Sequence, residues 1–495
     1  MIAIAEQDMP AAADAMRVET VDSSWDESGP QPARPRLVSL FAAAPGLSAA
    51  GFLRAAHGME RFYWAEPGDG LTLAGAGIAA QLVAAPTLPD DAERLPAQRF
   101  ADIETQARAL FDRAIVQPMT GGATDAAHLA RPRLFGGFAF QDDFVPDNTW
   151  SVFNSAEFIL PHYQLAQQAG ATFLTINALV GPDEDLDEAV RGLSEALAAR
   201  LATAPSQPFA PFVRASLRYP MTRAMWDEMI GHATTAIGDG AIEKVVLARV
   251  CEVRAEDTID AAAPLAALDA HYGDSFRFLF EPCPHHAFLG ATPELLVRVA
   301  GRAVTTMALA GSAARGATPD EDESLAAQLL ASAKDRHEHQ LVVDAIRAHL
   351  ANAAGDLDVP AAPRVLKLRN IQHLLTPIAG QLAAAGRRIA PGAAAAPHAG
   401  DGRCAAGAGA GLAARRRAGA ARLVRRAHRL ARRGAGRRLR RGHPLGRHPT
   451  RPRLALRRGG HRRRVVAGAR MGRDGAEVPP HARRAGRGGR QLTWT

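Results

Sequence analysis

The chain has 495 residues, of which 47% are hydrophobic, enough for two or three ordinary domains with sizeable cores. Its three cysteines, Cys251, Cys283 and Cys404, show neither metal-ligand spacing nor a disulfide framework, as is typical of a protein of the reducing cytoplasm. No stretch of about 18 uncharged apolar residues occurs, and the N-terminus lacks a signal-peptide pattern, so we expect neither a membrane span nor a secretory leader.

The net charge of +8 is the average of two unlike parts. Of the 59 basic residues, 30 lie at 386–495, together with three of the 51 acidic residues, so this segment carries +27 and the rest of the chain −19. Taken as it stands, the basic segment is typical of a disordered tail that binds nucleic acid.

Hydrophobic periodicity begins after a polar segment, residues 1–36, which we expect to be a disordered leader. Residues 37–205 mix strands and helices. RFYWAEPGDGLTLAGAG predicts two strands around a Pro/Gly turn, LFGGFAF predicts a strand, and DLDEAVRGLSEALAARLATA predicts a helix.

A second part, residues 220–386, follows the Pro-rich connection SQPFAPFV. It opens with a predicted helix, TRAMWDEMIGHATTAI, and continues with a strand, KVVLARVCEVRA, and a hairpin that turns at Ala300 and Gly301. One long helix, SLAAQLLASAKDRHEHQLVVDAIRAHL, comes next, with Asp322 or Ser324 as its N-cap.

Lys244 opens the apolar strand KVVLARV and shares a face with Val246, Ala248 and Val250, by the period of two. One interpretation is a strand-end lysine whose amine reaches water. The other is a desolvated amine with a lowered pKa, which would serve as a general base.

Glu294 follows an expected turn at 290–293 and is predicted to start a strand. A carboxylate at a strand edge is the simpler interpretation. A carboxyl group in a partly buried cleft would instead stay protonated and act as a general acid.

Glu338 lies in the predicted long helix, where helical spacing places it on one face with Lys334, Leu341, Val342 and Ala345. An ion pair with Lys334, four residues earlier, would satisfy the carboxylate. A divalent cation bound by carboxylate oxygens is the functional alternative.

Five motifs in order, EKVVLAR, LGATPELLVR, ALAGSAARG, LLASAKDRHEHQLVVDAI and LRNIQHLLTPIAG, resemble those of chorismate-utilising enzymes, most closely isochorismate synthases. The resemblance extends over residues 37–382, because RFYWA, FGGFAF and FILP also look like that group. It implies an α+β fold of two related β-sheet/helix halves packed around a central cleft. Residues 37–205 would form the N-terminal part of this fold, and residues 220–386 the first part of its chorismate-binding catalytic domain.

The resemblance also implies roles for single residues. Lys244 matches the family's base, which activates water, and Glu294 matches its acid, which protonates the leaving hydroxyl. Glu338 matches one of two glutamates that hold Mg²⁺, which anchors a carboxylate of the substrate, chorismate. Gly311 and Ser312 match a loop whose small residues admit the substrate, and His373 matches a histidine lining the ring site.

Residues 387–495 lack the motifs of the family's second half and consist largely of Arg, Ala, Gly and Pro. Read one base later, the tail's codons permit five of those motifs in the right order: HPTPAMGG at 396–404, GWYAGPIGW at 422–431, FAVAIRS at 439–446, YAGAGIVA at 456–464 and EWDETELKFRPM at 470–482. The tryptophan of the last motif is forced, because Met471 followed by Gly472 contains the codon TGG. We therefore interpret the tail as an out-of-frame translation, with part of the fold missing or disordered.

In that shifted frame the second metal glutamate is encoded across Arg473 and Asp474, and a substrate arginine across Pro444 and Leu445. The leading prediction is a cytoplasmic, Mg²⁺-dependent isochorismate synthase, an isomerase, impaired in this chain. The alternatives are a salicylate or anthranilate synthase, a protein that binds nucleic acid through a genuine tail, and a non-catalytic relative that binds a partner.

Overall fold

A computed structural model describes residues 2–5, 34–68, 70–86, 98–119, 125–141, 143–146, 148–202, 214–242, 245–351 and 353–382. Among them, residues up to Pro220 and from Cys251 onward belong to one compact unit, and Met221–Val250 belong to a second. The predicted tail at 387–495, most of the predicted leader and Lys244 lie outside the described residues.

The described strands are β1 (Ile2–Ala5), β2 (Arg36–Ala43), β3 (Arg61–Ala65), β4 (Thr72–Ala76), β5 (Ala80–Ala84), β6 (Ile115–Pro118), β7 (Leu134–Phe138), β8 (Ala156–Leu160), β9 (Tyr163–Gln168), β10 (Ala171–Val180), β11 (Ala215–Arg218), β12 (Glu252–Ala255), β13 (Phe276–Cys283), β14 (His286–Thr292), β15 (Arg298–Ala300), β16 (Ala303–Ala314), β17 (Ala354–Asp358), β18 (Arg364–Lys367) and β19 (Ile371–Leu382). The α-helices are α1 (Ala49–Ala55), α2 (Gln98–Phe111), α3 (Leu186–Ala202), α4 (Arg223–Gly238), α5 (Ala262–His271), α6 (Pro319–Ala331) and α7 (Ala333–Leu350).

An eight-stranded sheet forms the centre of the first unit, in the order β14-β13-β3-β4-β9-β10-β2-β6. Every neighbouring pair is antiparallel except β2 and β6. Helices α1, α3 and α5 bury Phe52, Leu197 and Leu265 in one core with this sheet. The predicted strands around the Pro/Gly turn are confirmed as β3 and β4, and the predicted helix as α3.

A four-stranded sheet, β1-β7-β8-β5, shares a second core with the eight-stranded sheet. Phe62 of β3 and Phe135 of β7 meet there with ring centroids 5.9 Å apart. The prediction of a wholly disordered leader at 1–36 is wrong for Ile2–Ala5, which pairs with β7 as strand β1. An alternating Ile/Ala run suits a strand, and β7 offers it unpaired backbone groups.

The hairpin β13-β14 belongs to the same sheet as the strands of the first predicted part, because β13 pairs with β3. The predicted boundary at 205–220 therefore does not separate two sheets. Arg61 of β3 and Glu281 of β13, both 1% exposed, form an ion pair of 2.6 Å across this junction, and Asp260 binds the same guanidinium at 2.7 Å. Sequence periodicity reports burial but not pairing partners, so it could not reveal this pairing.

A five-stranded sheet is formed by the strands from β15 to β19, within residues 298–382. Its order is β15-β16-β19-β17, and β18 also pairs with β19, next to β17. Helix α7 packs on this sheet and buries Val342, Val343 and Ile346 with residues of β16 and β19. The predicted turn at Ala300 and Gly301 is confirmed between β15 and β16, where Gly301 has φ +58°.

The predicted long helix is divided at Ser332 into α6 and α7. Thr318 caps α6 by accepting from the Glu321 amide, and Ser332 caps α7 by accepting from the Asp335 amide, so the predicted caps Asp322 and Ser324 are wrong. A serine hydroxyl satisfies a free amide at a helix start. An interior serine can therefore begin a second helix.

The second unit contains helix α4, which confirms the predicted helix TRAMWDEMIGHATTAI. The predicted strand KVVLARVCEVRA forms only over Glu252–Ala255, and residues 245–250 have no regular structure. Val246 and Val250 are 38% and 59% exposed. A strand needs a neighbour for its backbone hydrogen bonds, and no described strand pairs with 245–250.

The mixture of helices with mainly antiparallel sheets confirms the predicted α+β class. Among the described helices, none is long and apolar enough to cross a membrane.

Candidate active site

The site predicted around His373 lies on the β16-β19 pair of the five-stranded sheet. Ser312 and His373 are opposite each other in the antiparallel register, and Ser312 Oγ lies 2.8 Å from His373 Nδ1. The structure therefore brings two of the sequence-predicted residues into a direct hydrogen bond. The side chain of Ser312 is exposed, so its hydroxyl is accessible to a ligand.

The imidazole of His373 is partly buried, and burial lowers its pKa from the ordinary value of 6.5 because the charged ring loses solvation. A hydrogen bond to the Gly311 backbone and the negative charge of Glu294 act in the opposite direction. His373 is thus biased towards the neutral ring, which can accept a proton or orient a hydroxyl.

The negative charge of Glu294 raises the pKa of His373, against the effect of burial, and so links a third predicted residue to the imidazole electrostatically. It lies in the irregular segment between β14 and β15, where its amide donates to Thr292 Oγ1 at 3.2 Å. The predicted turn and strand start are wrong here, because β14 runs to Thr292 and β15 begins at Arg298. Pro293 ends the ladder, since it has no amide hydrogen to donate.

Gly311 lies within strand β16 at a β-bulge, rather than in the predicted loop. Its φ of +77° is a conformation that glycine adopts readily. A Cβ at this position would stand 3.2 Å from Asp335 Cβ and 3.3 Å from Leu374 Cδ1. The small residue thus permits close packing of the strand against α7, in addition to shaping the bulge beside Ser312.

Glu338 is partly buried on α7, one residue before a histidine that fixes the helix to the sheet. His339 is 1% exposed, and its Nε2 and Nδ1 lie 2.7 Å from Thr376 Oγ1 and 3.2 Å from the Ala310 carbonyl oxygen. The predicted face is shifted, because the helix buries His339 with Val342, Val343, Ile346 and Leu350. Lys334, which the sequence offered as an ion-pair partner for Glu338, has its Nζ 3.9 Å from Asp335 Oδ1.

A metal site is not assembled by the residues that the structure describes. No group of three or more His, Cys, Asp or Glu side chains among them is placed to hold a metal ion. Glu338 would supply one oxygen ligand to Mg²⁺, which takes six and is usually bound through one or two carboxylates together with the substrate and water.

Sequence reasoning missed a charged network at the end of β16. Arg315 binds Asp322 at 2.6 Å, and Lys367 binds the same carboxylate at 3.0 Å. Asp322 is 6% exposed, and these cations, with the Gly316 amide, hold its pKa well below the usual range. The sequence signal for this network was an acidic residue in the first turn of a helix, shortly after an Arg-Gly pair.

The bulged antiparallel pair, with an imidazole, a hydroxyl and a carboxylate from three segments, is an arrangement suited to proton transfer on a small polar ligand. A family profile described as chorismate binding enzyme matches residues 24–390. The chain belongs to this family.

Two curated relatives show how far the similarity extends. The salicylate biosynthesis isochorismate synthase of Pseudomonas aeruginosa is 34% identical over 291 residues, which cover 58% of this chain and 58% of the relative. The isochorismate synthase MenF of Bacillus subtilis is 28% identical over 325 residues, which cover 65% of this chain and 66% of the relative. The match thus spans about three-fifths to two-thirds of these relatives.

Among solved structures, the menaquinone-specific isochorismate synthase MenF from Escherichia coli aligns with a TM-score of 0.55 and 22% sequence identity. The alignment covers 72% of this chain and 73% of that protein. It shows the fold of the described chain to be that of the chorismate-binding enzymes.

Proposed function

We propose that the chain derives from an isochorismate synthase, an isomerase that adds water at C2 of chorismate, expels the C4 hydroxyl and shifts the ring double bonds. The observation that carries the proposal is the Ser312-His373 hydrogen bond with Glu294 acting on the imidazole. Both named relatives carry isochorismate synthase in their names. The product would feed menaquinone, siderophore or salicylate synthesis.

In this proposal Glu294 protonates the leaving hydroxyl, and Lys244 removes a proton from the attacking water. Ser312 and the neutral ring of His373 bind and orient the polar groups of the substrate. The pair suits this role because the serine hydroxyl is exposed while the histidine stays partly buried behind it.

We also propose that the reading frame of the gene, or of its sequencing, shifts by one base near residues 380–397. The family match ends at residue 390, close to the point at which the composition becomes Arg-rich. The frame-corrected chain would regain the second metal glutamate encoded across Arg473 and Asp474, and with it the dependence on Mg²⁺. The nucleotide sequence, translated in all frames, tests this directly.

Incubation with chorismate, with and without ammonia, tests the activity. The frame-corrected protein should form isochorismate, identified by chromatography, and this exact chain should form little or none. Anthranilate or salicylate as the main product would overturn the proposal in favour of a related synthase. Robust turnover by the present chain would overturn the proposed frame error.

Replacement of Glu294 gives a sharper test in the frame-corrected protein. A general acid contributes roughly 10²- to 10⁴-fold, so Glu294→Gln should lower kcat by at least about 100-fold. Glu195→Gln is the matched control, because Glu195 is an exposed glutamate on α3. Equal effects of the two substitutions on kcat would remove Glu294 from the proposed role.

A further inference from the structure

Asp322, in the first turn of α6, receives four hydrogen bonds although only 6% of the residue is exposed. Its Oδ1 accepts from Arg315 Nε at 2.6 Å and from the Gly316 amide at 3.0 Å. Its Oδ2 accepts from Arg315 Nη2 at 3.0 Å and lies 3.0 Å from Lys367 Nζ. One buried carboxylate therefore satisfies donors from two separate segments of the chain.

Those segments are the ends of the two strands on either side of β19. Arg315 follows the last residue of β16, and Lys367 is the last residue of β18. Arg315 also donates to the Leu368 carbonyl oxygen, directly after β18. Asp322 with Arg315 and Lys367, which we call the strand clamp, thus joins β16 to β18 across β19.

The clamp requires a glycine beside it. A Cβ on Gly316 would stand 2.2 Å from the Asp322 amide nitrogen, closer than any real side chain allows. Only a residue without a side chain lets the end of β16 reach the first turn of α6. The close approach of β16 to α6 therefore depends on the glycine backbone as well as on the ion pairs.

His373 lies directly beside the clamp in the same register. Its partner on β16 is Ser312, three residues before Arg315, and its partner on β18 is Leu366, immediately before Lys367. Both flanking strands end within a few residues of His373, and strand ends open more readily than strand centres. We propose that Asp322 is a positioning residue for His373. By binding Arg315 and Lys367 it keeps the ends of β16 and β18 paired with β19, so that the imidazole remains hydrogen-bonded to Ser312.

This inference rests on the proposed function only for the role of His373 as a site residue. It is tested without turnover, so that loss of the clamp and loss of activity are separate results. The readout is the titration of the His373 imidazole in the full chain, followed by NMR of histidine labelled at Cε1, with the His373 signal assigned by its absence in His373→Gln.

Two substitutions distinguish opening of the flanking strands from the loss of the Asp322 charge. Asp322→Asn removes a negative charge, which by electrostatics alone would lower the pKa of a nearby histidine. If the flanking strands open instead, water reaches the imidazole and its pKa rises towards the ordinary value. Arg315→Lys keeps the charge but loses the planar fork that bridges Asp322 and Leu368, so it also predicts a rise. Asp320→Asn is the control, because it removes a charge at an exposed aspartate in the first turn of the same helix and leaves in place both the four bonds to Asp322 and the contact of Lys367 with Glu323.

We expect the midpoint of the His373 titration to move upward in Asp322→Asn and Arg315→Lys, and not in Asp320→Asn. An unchanged or lowered midpoint in both clamp variants would overturn the proposal. So would global unfolding of both, recognised when the histidine signals coincide with those of the chain in guanidinium chloride, because the clamp would then be a general stability element.

Discussion

His373 combines a partly buried ring with a hydrogen bond to Ser312 of β16 and the nearby negative charge of Glu294. Its neutral form is favoured in the folded chain, since burial lowers the pKa from 6.5. Below pH 6.5 the unfolded chain takes up a proton at this ring while the folded chain resists it. Stability contributed by the neutral ring is therefore lost as the pH falls from about 6.5 through the lowered pKa of the folded state.

His373→Gln removes the ring whose protonation destabilises the folded chain. The variant should lose less unfolding free energy between pH 7.5 and pH 5 than the parent chain, as measured by urea unfolding at each pH. His162, whose pKa burial also lowers, provides a parallel case, and His162→Gln should change the pH dependence in the same direction. A parent-like pH dependence in His373→Gln would contradict the assignment.

Gly311 and Gly301 form a matched pair at the residue scale. Both have positive φ, +77° and +58°, but a Cβ would contact Asp335 and Leu374 at Gly311 and nothing within 4 Å at Gly301. Left-handed backbone costs a residue other than glycine about 1–2 kcal/mol, and overpacking adds about 1–3 kcal/mol. Gly311→Ala should thus destabilise the chain more than Gly301→Ala, and equal losses of unfolding free energy would show that the contact with α7 is unimportant.

The sequence motifs pointed to two residues that the structure joins by a hydrogen bond, but not to the backbone conformation around them. Ser312 and His373 come from separate motifs, 61 positions apart, and the charge of Glu294, from a third motif, acts on the same imidazole. The strand at Glu294 and the loop at Gly311 were wrong, because a local pattern does not show where a proline ends a ladder or where a bulge lies. Asp322 looked like a helix cap for the same reason, since its partners Arg315 and Lys367 are defined only by strand pairing.

At the scale of secondary structure, the break at Ser332 decides how α7 meets the sheet. The Ser332 hydroxyl accepts from the Asp335 amide at 3.2 Å and donates to Asp335 Oδ2 at 2.6 Å. Asp335 in turn packs against Gly311, where an added Cβ would stand 3.2 Å from Asp335 Cβ. The cap therefore connects the start of α7 to the strand that carries Ser312.

Ser332→Ala should lower the free energy of unfolding by about 1 kcal/mol, because the first turn of α7 loses its hydroxyl acceptor. Chemical denaturation measures the loss. Ser324→Ala is the matched control, since Ser324 is exposed within α6 and caps no helix. A loss as large in the control as in Ser332→Ala would show that the cap contributes nothing specific.

At the scale of the whole molecule, the charge is divided between the two parts of the chain. The segment 386–495 carries +27 and the remainder −19. A chain ending at residue 385 should therefore bind an anion exchanger at pH 7.5, whereas the full chain should bind a cation exchanger through its arginines. Retention of both on the same resin would contradict this division.

The chain that ends at residue 385 also tests whether the Arg-rich tail binds nucleic acid. Arginines that neutralise phosphates release counterions, so binding by the full chain should weaken steeply with salt and should vanish in the truncated chain. Sequence-specific binding that resists salt would favour a genuine tail over an out-of-frame translation.

The pairing of β13 with β3 also has a consequence for how the chain is made. Arg61 and its partner Glu281 are separated by 220 residues. The ribosome must therefore synthesise most of the described chain before β3 can acquire its second neighbour. Until then Arg61 lacks one of its two carboxylate partners and one edge of β3 stays open. Pairing between strands so far apart in sequence forms slowly, which leaves time for binding by chaperones or for aggregation.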